Sequence, residues 1–213
     1  MKATMEKLAS LFEIVCLAVA VSGLGTQTHA QEGSRFQLTS STFADGATMP
    51  ISTIHNHIVN NVNVCSIDGS PGGNQSPELS WTNAPVGTQT FAVVAYDTTA
   101  AFTHWGMYNI PPTTTELPAN AGVPGSSYGT QVVNDNFAAA EYDGPCPPAH
   151  VAPDAHHYVF TVYALDTQLK LPGSKNFPPI GETLYQALIS DGMRRHILGT
   201  AKITGLYSTT PGK

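Results

Sequence analysis

The chain has 213 residues, only 11% of them charged, with 9 Lys and Arg against 15 Asp and Glu for a net charge of −6. That acidic balance, with no basic run, argues against nucleic acid and against anionic membrane surfaces as partners. The 19 Gly and 16 Pro break the chain often, and neither a heptad nor an internal repeat organises it.

At the start, Lys2 and Lys7 precede an apolar or small-residue run over residues 14–24, and Thr28-His29-Ala30 offers a small-residue cleavage site. This is the pattern of a secretory signal peptide. The run is shorter than the roughly 20 residues needed to span a bilayer, so no transmembrane anchor is expected. We therefore read residues 1–30 as a signal peptide, with an uncleaved tail as the alternative, and residues 31–213 as a single domain. About 180 residues suffice for one substantial core. Cleavage removes Lys2, Lys7, Glu6 and Glu13, which leaves the net charge unchanged. Cys16 lies within the apolar run in a poor lipoprotein context.

Beyond the leader, Phe36-Gln37-Leu38 alternates as a strand does, and Ala44-Asp45-Gly46 marks a turn. Residues 51–64 read as another strand region, on which His55 and His57 would share a face. Two such histidines can ligate a metal, but a zinc site needs a third ligand, and none stands nearby. Exposed or hydrogen-bonded histidines are the simpler reading, so neither metal nor cofactor is expected. The loop DGSPGGNQSP, residues 68–77, lacks the Lys followed by Ser or Thr of a phosphate loop and leads into a short strand, Leu79-Ser80-Trp81.

Residues 91–96 are apolar and β-favouring, as in a central strand covered on both faces. Asp97 ends that strand, either as a turn-forming residue or as a site carboxylate. After a short polar crossing come His104, Trp105 and a strand over residues 107–110, stopped by Pro111-Pro112. Residues 113–136 form a long surface excursion, whose continuation over 134–142 runs toward Gly144-Pro145-Cys146-Pro147-Pro148, a rigid turn. Residues 158–165 make a strand expected to be packed on both faces. Residues 180–195 carry a helical apolar stripe, with Gly192 as its weak point, and residues 199–207 a closing strand. The fold class is mostly β.

Two segments carry the chemistry. Asp97 and His104 flank the polar crossing, and residues 142–166 hold Gly144, Pro145, His156, His157 and Tyr158. A carboxylate beside an imidazole fixes its tautomer and favours its charged form. Two imidazoles, a phenol and free backbone N–H groups of a Gly-Pro turn would together favour a small anion such as phosphate or carboxylate. No Ser in a Gly-x-Ser-x-Gly turn accompanies them, although a triad assembled in space stays open. Binding is therefore preferred to catalysis.

At these residues the chain resembles the phosphatidylethanolamine-binding protein family, in particular its bacterial, Raf-kinase-inhibitor-like branch. The matching blocks are Cys65 with SPELSW, AVVAYD ending at Asp97, HWGMYNIP from His104, GPCPP from Gly144, HHYVFTVYALD from His156 and HILGTAKITGLY from His196. The resemblance implies an antiparallel-dominated β-sandwich with a few peripheral helices. It also implies a pocket at Asp97, His104, Gly144, Pro145, His156 and Tyr158 that takes small anions, and in some members phospholipid head groups. Cys65 and Cys146 are the two cysteines left after the leader and are either one disulfide or two buried thiols. The resemblance favours their proximity.

Two departures bear on the ligand. Where family members commonly continue Asp-Pro-Asp-x-Pro, this chain has Asp97-Thr98-Thr99-Ala100-Ala101, which lacks one rim carboxylate. Where they have His-Arg-Tyr, it has His156-His157-Tyr158, which exchanges a permanent cation beside the pocket for a pH-dependent one. Anion affinity is expected to be lower, or shifted toward acidic pH.

The function expected from the sequence is therefore an exported, secreted or periplasmic protein that binds a phosphate-like anion or a phospholipid head group and is not an enzyme. One alternative is an inhibitor or modulator of an extracytoplasmic protease or other protein. Another is a hydrolase that uses Asp97, His104 and His156 as acid and base.

Overall fold

The computed structural model describes residues 35–212 apart from 138, 175 and 176, so the expected leader over residues 1–30 lies outside the described residues. In chain order the strands are β1 (Gln37–Thr39), β2 (Ile58–Val59), β3 (Val62–Asn63), β4 (Leu79–Thr82), β5 (Thr90–Asp97) and β6 (Phe102–Ile110). They continue as β7 (Glu116–Leu117), β8 (Thr130–Gln131) and β9 (His156–Leu165). Helices α1 (Gly181–Ile189) and α2 (Asp191–Arg194) precede the closing strand β10 (Ile197–Tyr207).

The large sheet has the order β10-β9-β5-β6-β8 and the small one β1-β4-β7; all pairings within them are antiparallel. β5 lies at the centre because its run is apolar at every position. Phe91, Val93 and Ala95 enter the main core with Trp81, Trp105 and Phe160, whereas Ala92 and Val94 enter a second cluster with Leu184 and Leu188 of α1. A strand covered on both faces needs such a continuous apolar run. β9 departs from that expectation. Tyr158, Phe160, Val162 and Ala164 are buried, but the alternate residues Val159, Thr161 and Tyr163 are only partly covered and His157 is exposed. Period-2 alternation places that second set on the α1 side of the sheet, where Tyr163 packs against the second cluster but α1 itself lies over β6, so β9 is covered only in part.

The expected strand over residues 51–64 is replaced by a 3₁₀ turn at Ile51–Thr53, an irregular stretch through His55 and His57, and the hairpin β2–β3. Its backbone groups find partners elsewhere. The N–H groups of Gly73, Asn74 and Gln75 donate to the carbonyls of Ile51, Ile54 and Ser52, and His55 N–H donates to Pro145 O. The buried Asn63 side chain stands in for a neighbouring strand: it accepts from the N–H groups of His57 and Cys65 and donates to His55 O. Asn60 and Asn61, both at positive φ, make the tight turn of the hairpin.

The helical stripe over residues 180–195 is split at Ser190 rather than at Gly192. Ser190 leaves helical geometry, with ψ 147°, and its hydroxyl accepts from Met193 N–H as the cap of α2. Among the described residues no helix is long and apolar enough to cross a membrane.

Cys65 and Cys146 are joined in a disulfide with Cα atoms 4.5 Å apart across a sequence separation of 81 residues. It ties the hairpin segment to the Gly144–Pro148 turn. Closing so long a loop restricts the unfolded chain, so Cys65→Ala with Cys146→Ala is expected to cost about 2–4 kcal/mol. In thermal unfolding that is a Tm lower by roughly 10 °C. An unchanged Tm would show that the bridge adds nothing.

Candidate functional site

Three adjacent strands reach one end of the large sheet together. Asp97 pairs with Tyr158 of β9 on one side and with Phe102 of β6 on the other. Along β5 and β6 the pairing passes from Ala95↔Trp105 to Tyr96↔Thr103, so His104 is the extra residue of a β-bulge. The bulge changes the phase of the strand: Phe102 and His104 line a cavity while Trp105 and Met107 enter the core beneath it. Re-aiming a side chain beside a site is a recurrent use of such a bulge.

The cavity has a volume of about 290 Å³ and is lined by His55, His57, Asp97, Phe102, His104, Asn136, Asp143, Gly144, His156 and Tyr158, among others. Five of the six expected pocket residues are thus brought together. The sixth, Pro145, does not line it and contributes its carbonyl to His55 N–H at 3.2 Å.

The two carboxylate oxygens of Asp97 have different partners. Oδ1 accepts the N–H groups of Thr99 at 2.8 Å and Ala100 at 3.1 Å and so shapes the β5–β6 turn. Oδ2 lies 2.6 Å from His156 Nδ1. His104 Nδ1 lies 2.6 Å from the backbone carbonyl of Asp143, and its ring meets Tyr158 edge-on with centroids 5.1 Å apart. Burial holds the His104 imidazole below its ordinary pKa, against the raising effect of its bond to Asp143 O, so the ring is neutral at pH 7. Burial likewise pushes the Tyr158 phenol upward, and its hydroxyl stays protonated.

Facing these groups is a second carboxylate–imidazole couple that our sequence reading did not assign to the pocket. His55 Nδ1 lies 2.6 Å from Asp143 Oδ1, while Asn136 Nδ2 donates to Asp143 Oδ2 at 2.6 Å. Asp143 therefore holds two histidines, His55 through its carboxylate and His104 through its carbonyl. It is also a cavity carboxylate from a segment other than the one in which the family's second Asp is missing. The only sequence signals were its place immediately before Gly144 and the nearness of residues 134–142 to the turn. Among the described residues no group of three or more His, Cys, Asp or Glu is arranged to hold a metal ion.

The structure departs from two expectations. His157 was given the part of a pH-dependent cation beside the pocket, yet strand alternation turns it to the outer face. There its backbone N–H donates to Thr99 Oγ1 at 3.1 Å and its carbonyl accepts from Thr98 N–H at 3.0 Å. The two threonines thus fasten the β5–β6 turn to β9. The Gly144-Pro145 turn was expected to offer free N–H groups, but Gly144 N–H donates to Asn74 Oδ1 at 2.7 Å and proline has none.

The hydrogen bond to Asp143 raises the His55 pKa above its ordinary 6.5 and outweighs the opposing effect of burial. The folded state then binds this proton more tightly than the unfolded chain. Its contribution to stability is complete below the unfolded value and is lost as pH rises through the folded one. His55→Gln should accordingly lower the free energy of urea unfolding more at about pH 5.5 than at about pH 8.5. Equal losses at both would dismiss the ion pair as a source of stability.

Fold and site together define an antiparallel β-sandwich with an imidazole- and carboxylate-lined cavity at the ends of its central strands. Residues 39–208 match the family model described as phosphatidylethanolamine-binding protein, and the chain belongs to that family. Among curated relatives, the UPF0098 protein YbcL of Escherichia coli is 35% identical over 187 residues, covering 84% of this chain and 91% of the relative. A UPF0098 protein of Methanothermobacter thermautotrophicus is 40% identical over 144 residues, covering 64% and 84%. The crystal structure of E. coli YbcL, described as a new member of the mammalian PEBP family, superposes with a TM-score of 0.65 at 32% identity and covers 82% of this chain and 99% of that one.

Proposed function

We propose that this protein is an exported binding protein for a small oxyanion, either a phosphate-like anion or a phospholipid head group, and that it has no catalytic role. One observation carries the reading. His104 and His156 line the same cavity, each with Nδ1 held by an oxygen acceptor and Nε2 left uncommitted. The protonated Tyr158 hydroxyl adds a donor, and His156 Nε2 becomes one whenever that ring is charged. Binding is favoured over nucleophilic catalysis because Cys146, the one thiol-type residue in the lining, is committed to the disulfide. Export is supported by the leader pattern and by that same bridge, since disulfides persist in oxidising compartments.

The test is a calorimetric titration of the folded protein with inorganic phosphate and with phosphoethanolamine. Saturable binding of either supports the reading; absence of heat and of chemical-shift change with both would refute it.

A second reading has its own observation. Ile58, Val59, Val62 and Val64 are all exposed on and beside the β2–β3 hairpin, which follows directly on the cavity residues His55 and His57. A cluster of exposed apolar side chains fits a protein partner such as an extracytoplasmic protease. Protease inhibition that survives loss of the pocket histidines but not Val59→Asp with Val62→Asp would favour it.

A further inference from the structure

We infer that the cavity requires its ligand to bring a hydrogen to His104 Nε2, and so selects protonated tetrahedral oxyanions, phosphate or a phosphate monoester, over sulfate and phosphodiesters. This rests on the anion-binding reading above and narrows it to the phosphate-like anion, because the phosphate of a phospholipid head group is a diester.

The partner of His104 Nδ1 is a backbone carbonyl, 2.6 Å away, and a carbonyl only accepts. Nδ1 therefore carries the hydrogen whatever the pH. The contact is held in place from both sides, because Asp143 N–H donates to the His104 carbonyl at 3.0 Å. The ring is enclosed by Phe102, with centroids 4.7 Å apart, and by Tyr158 at 5.1 Å. Protonating it would place a charge in that enclosure, at a cost that the fields of Asp143, Asp97 and Asp135 do not offset. With Nδ1–H fixed and the ring neutral, Nε2 presents a lone pair to the cavity and can only accept.

An acceptor built into an enclosed site discriminates by what the ligand lacks. Inorganic phosphate keeps a P–OH at about pH 7, which can donate to Nε2, whereas a monoester, with its second pKa about 6, keeps one in only a minority of its molecules there. Sulfate has no hydrogen there, so its oxygens would meet the lone pair directly and leave Nε2 unsatisfied. A phosphodiester is in the same position at its phosphate. Dimethyl phosphate matches the charge of the phosphate monoanion without its hydrogen, and so separates the hydrogen from the charge.

The experiment titrates the folded protein at about pH 7 with inorganic phosphate, phosphoethanolamine, sulfate and dimethyl phosphate. Sulfate and dimethyl phosphate are expected to bind about 10- to 100-fold more weakly than phosphate, the range for a buried acceptor left without its partner. Equal affinity for phosphate and either of these two would overturn the inference and leave the anion reading standing. No binding of any of the four would overturn both. A second readout needs no variant: the ¹⁵N resonance of His104 Nε2 in the free protein is expected at the pyridine-type position of an unprotonated nitrogen. A pyrrole-type Nε2 would overturn the inference on its own.

Discussion

Phosphate binding is expected to fall by more than about 100-fold when His104 and His156 are both replaced by Ala, since two hydrogen bonds to an anion are lost together. The two rings enter the cavity from different strands, β6 and β9, and are held by different oxygens, Asp143 O and Asp97 Oδ2. Each single substitution should therefore weaken binding by itself, and the double variant should show less than the sum if both rings grip one ligand. His104 is buried, so its loss also leaves a void beside Phe102 and Tyr158. Thermal unfolding must show a folded variant at the assay temperature before its titration is interpreted. His157→Ala is the matched control, because that side chain stands on the outer face of β9 and touches Thr99 rather than the cavity. Binding retained within a few-fold by the folded double variant would remove these imidazoles from the site.

Gly144→Ala is expected to destabilise the protein by about 3 kcal/mol or more, because it overpacks a backbone crossing. A Cβ at this position would lie 2.3 Å from the carbonyl oxygen of Thr53 and 2.5 Å from the backbone nitrogen of His55. Neither is the end of a flexible side chain that could swing away, so one of the two chain segments must move. That shift would strain two contacts that set the pocket: the Gly144 N–H donation to Asn74 and the 2.6 Å approach of His55 to Asp143. The variant should therefore unfold roughly 10 °C lower and should also lose the acid-side stabilisation assigned to His55. A Tm equal to that of the parent would show that the crossing has room to spare.

These two experiments probe positions of different legibility. His104 and His156 stood out in the sequence because each adjoins an apolar, β-favouring run, and antiparallel pairing of such runs brings their ends together. Asp97 stood out for the same reason, and its two carboxylate oxygens divide between the turn after β5 and the His156 ring. Gly144 was legible as a glycine in a proline-rich turn, but not as a crossing point of two segments.

What the amino-acid pattern determined by itself is local and periodic. It placed β5 at the centre, since only an uninterrupted apolar run suits a strand covered on both faces. It also marked the turn after Asp97 and the strand that carries Tyr158, and its ordered blocks resembled one family along most of the chain. Tertiary structure alone decided which partners the remaining groups take. The β-bulge that swings His104 into the cavity depends on register against β5, a property of two strands rather than one. The stretch around His55 is no strand because the Asn63 side chain and the 73–75 loop satisfy its backbone, and the imidazole finds Asp143 far along the chain. His157, one residue from His156, faces away because successive side chains in a strand point to opposite sides. Residue types and spacing announce which groups are available for chemistry. Long-range hydrogen bonding and register choose which of them meet, because each buried polar group must find a partner wherever the fold offers one.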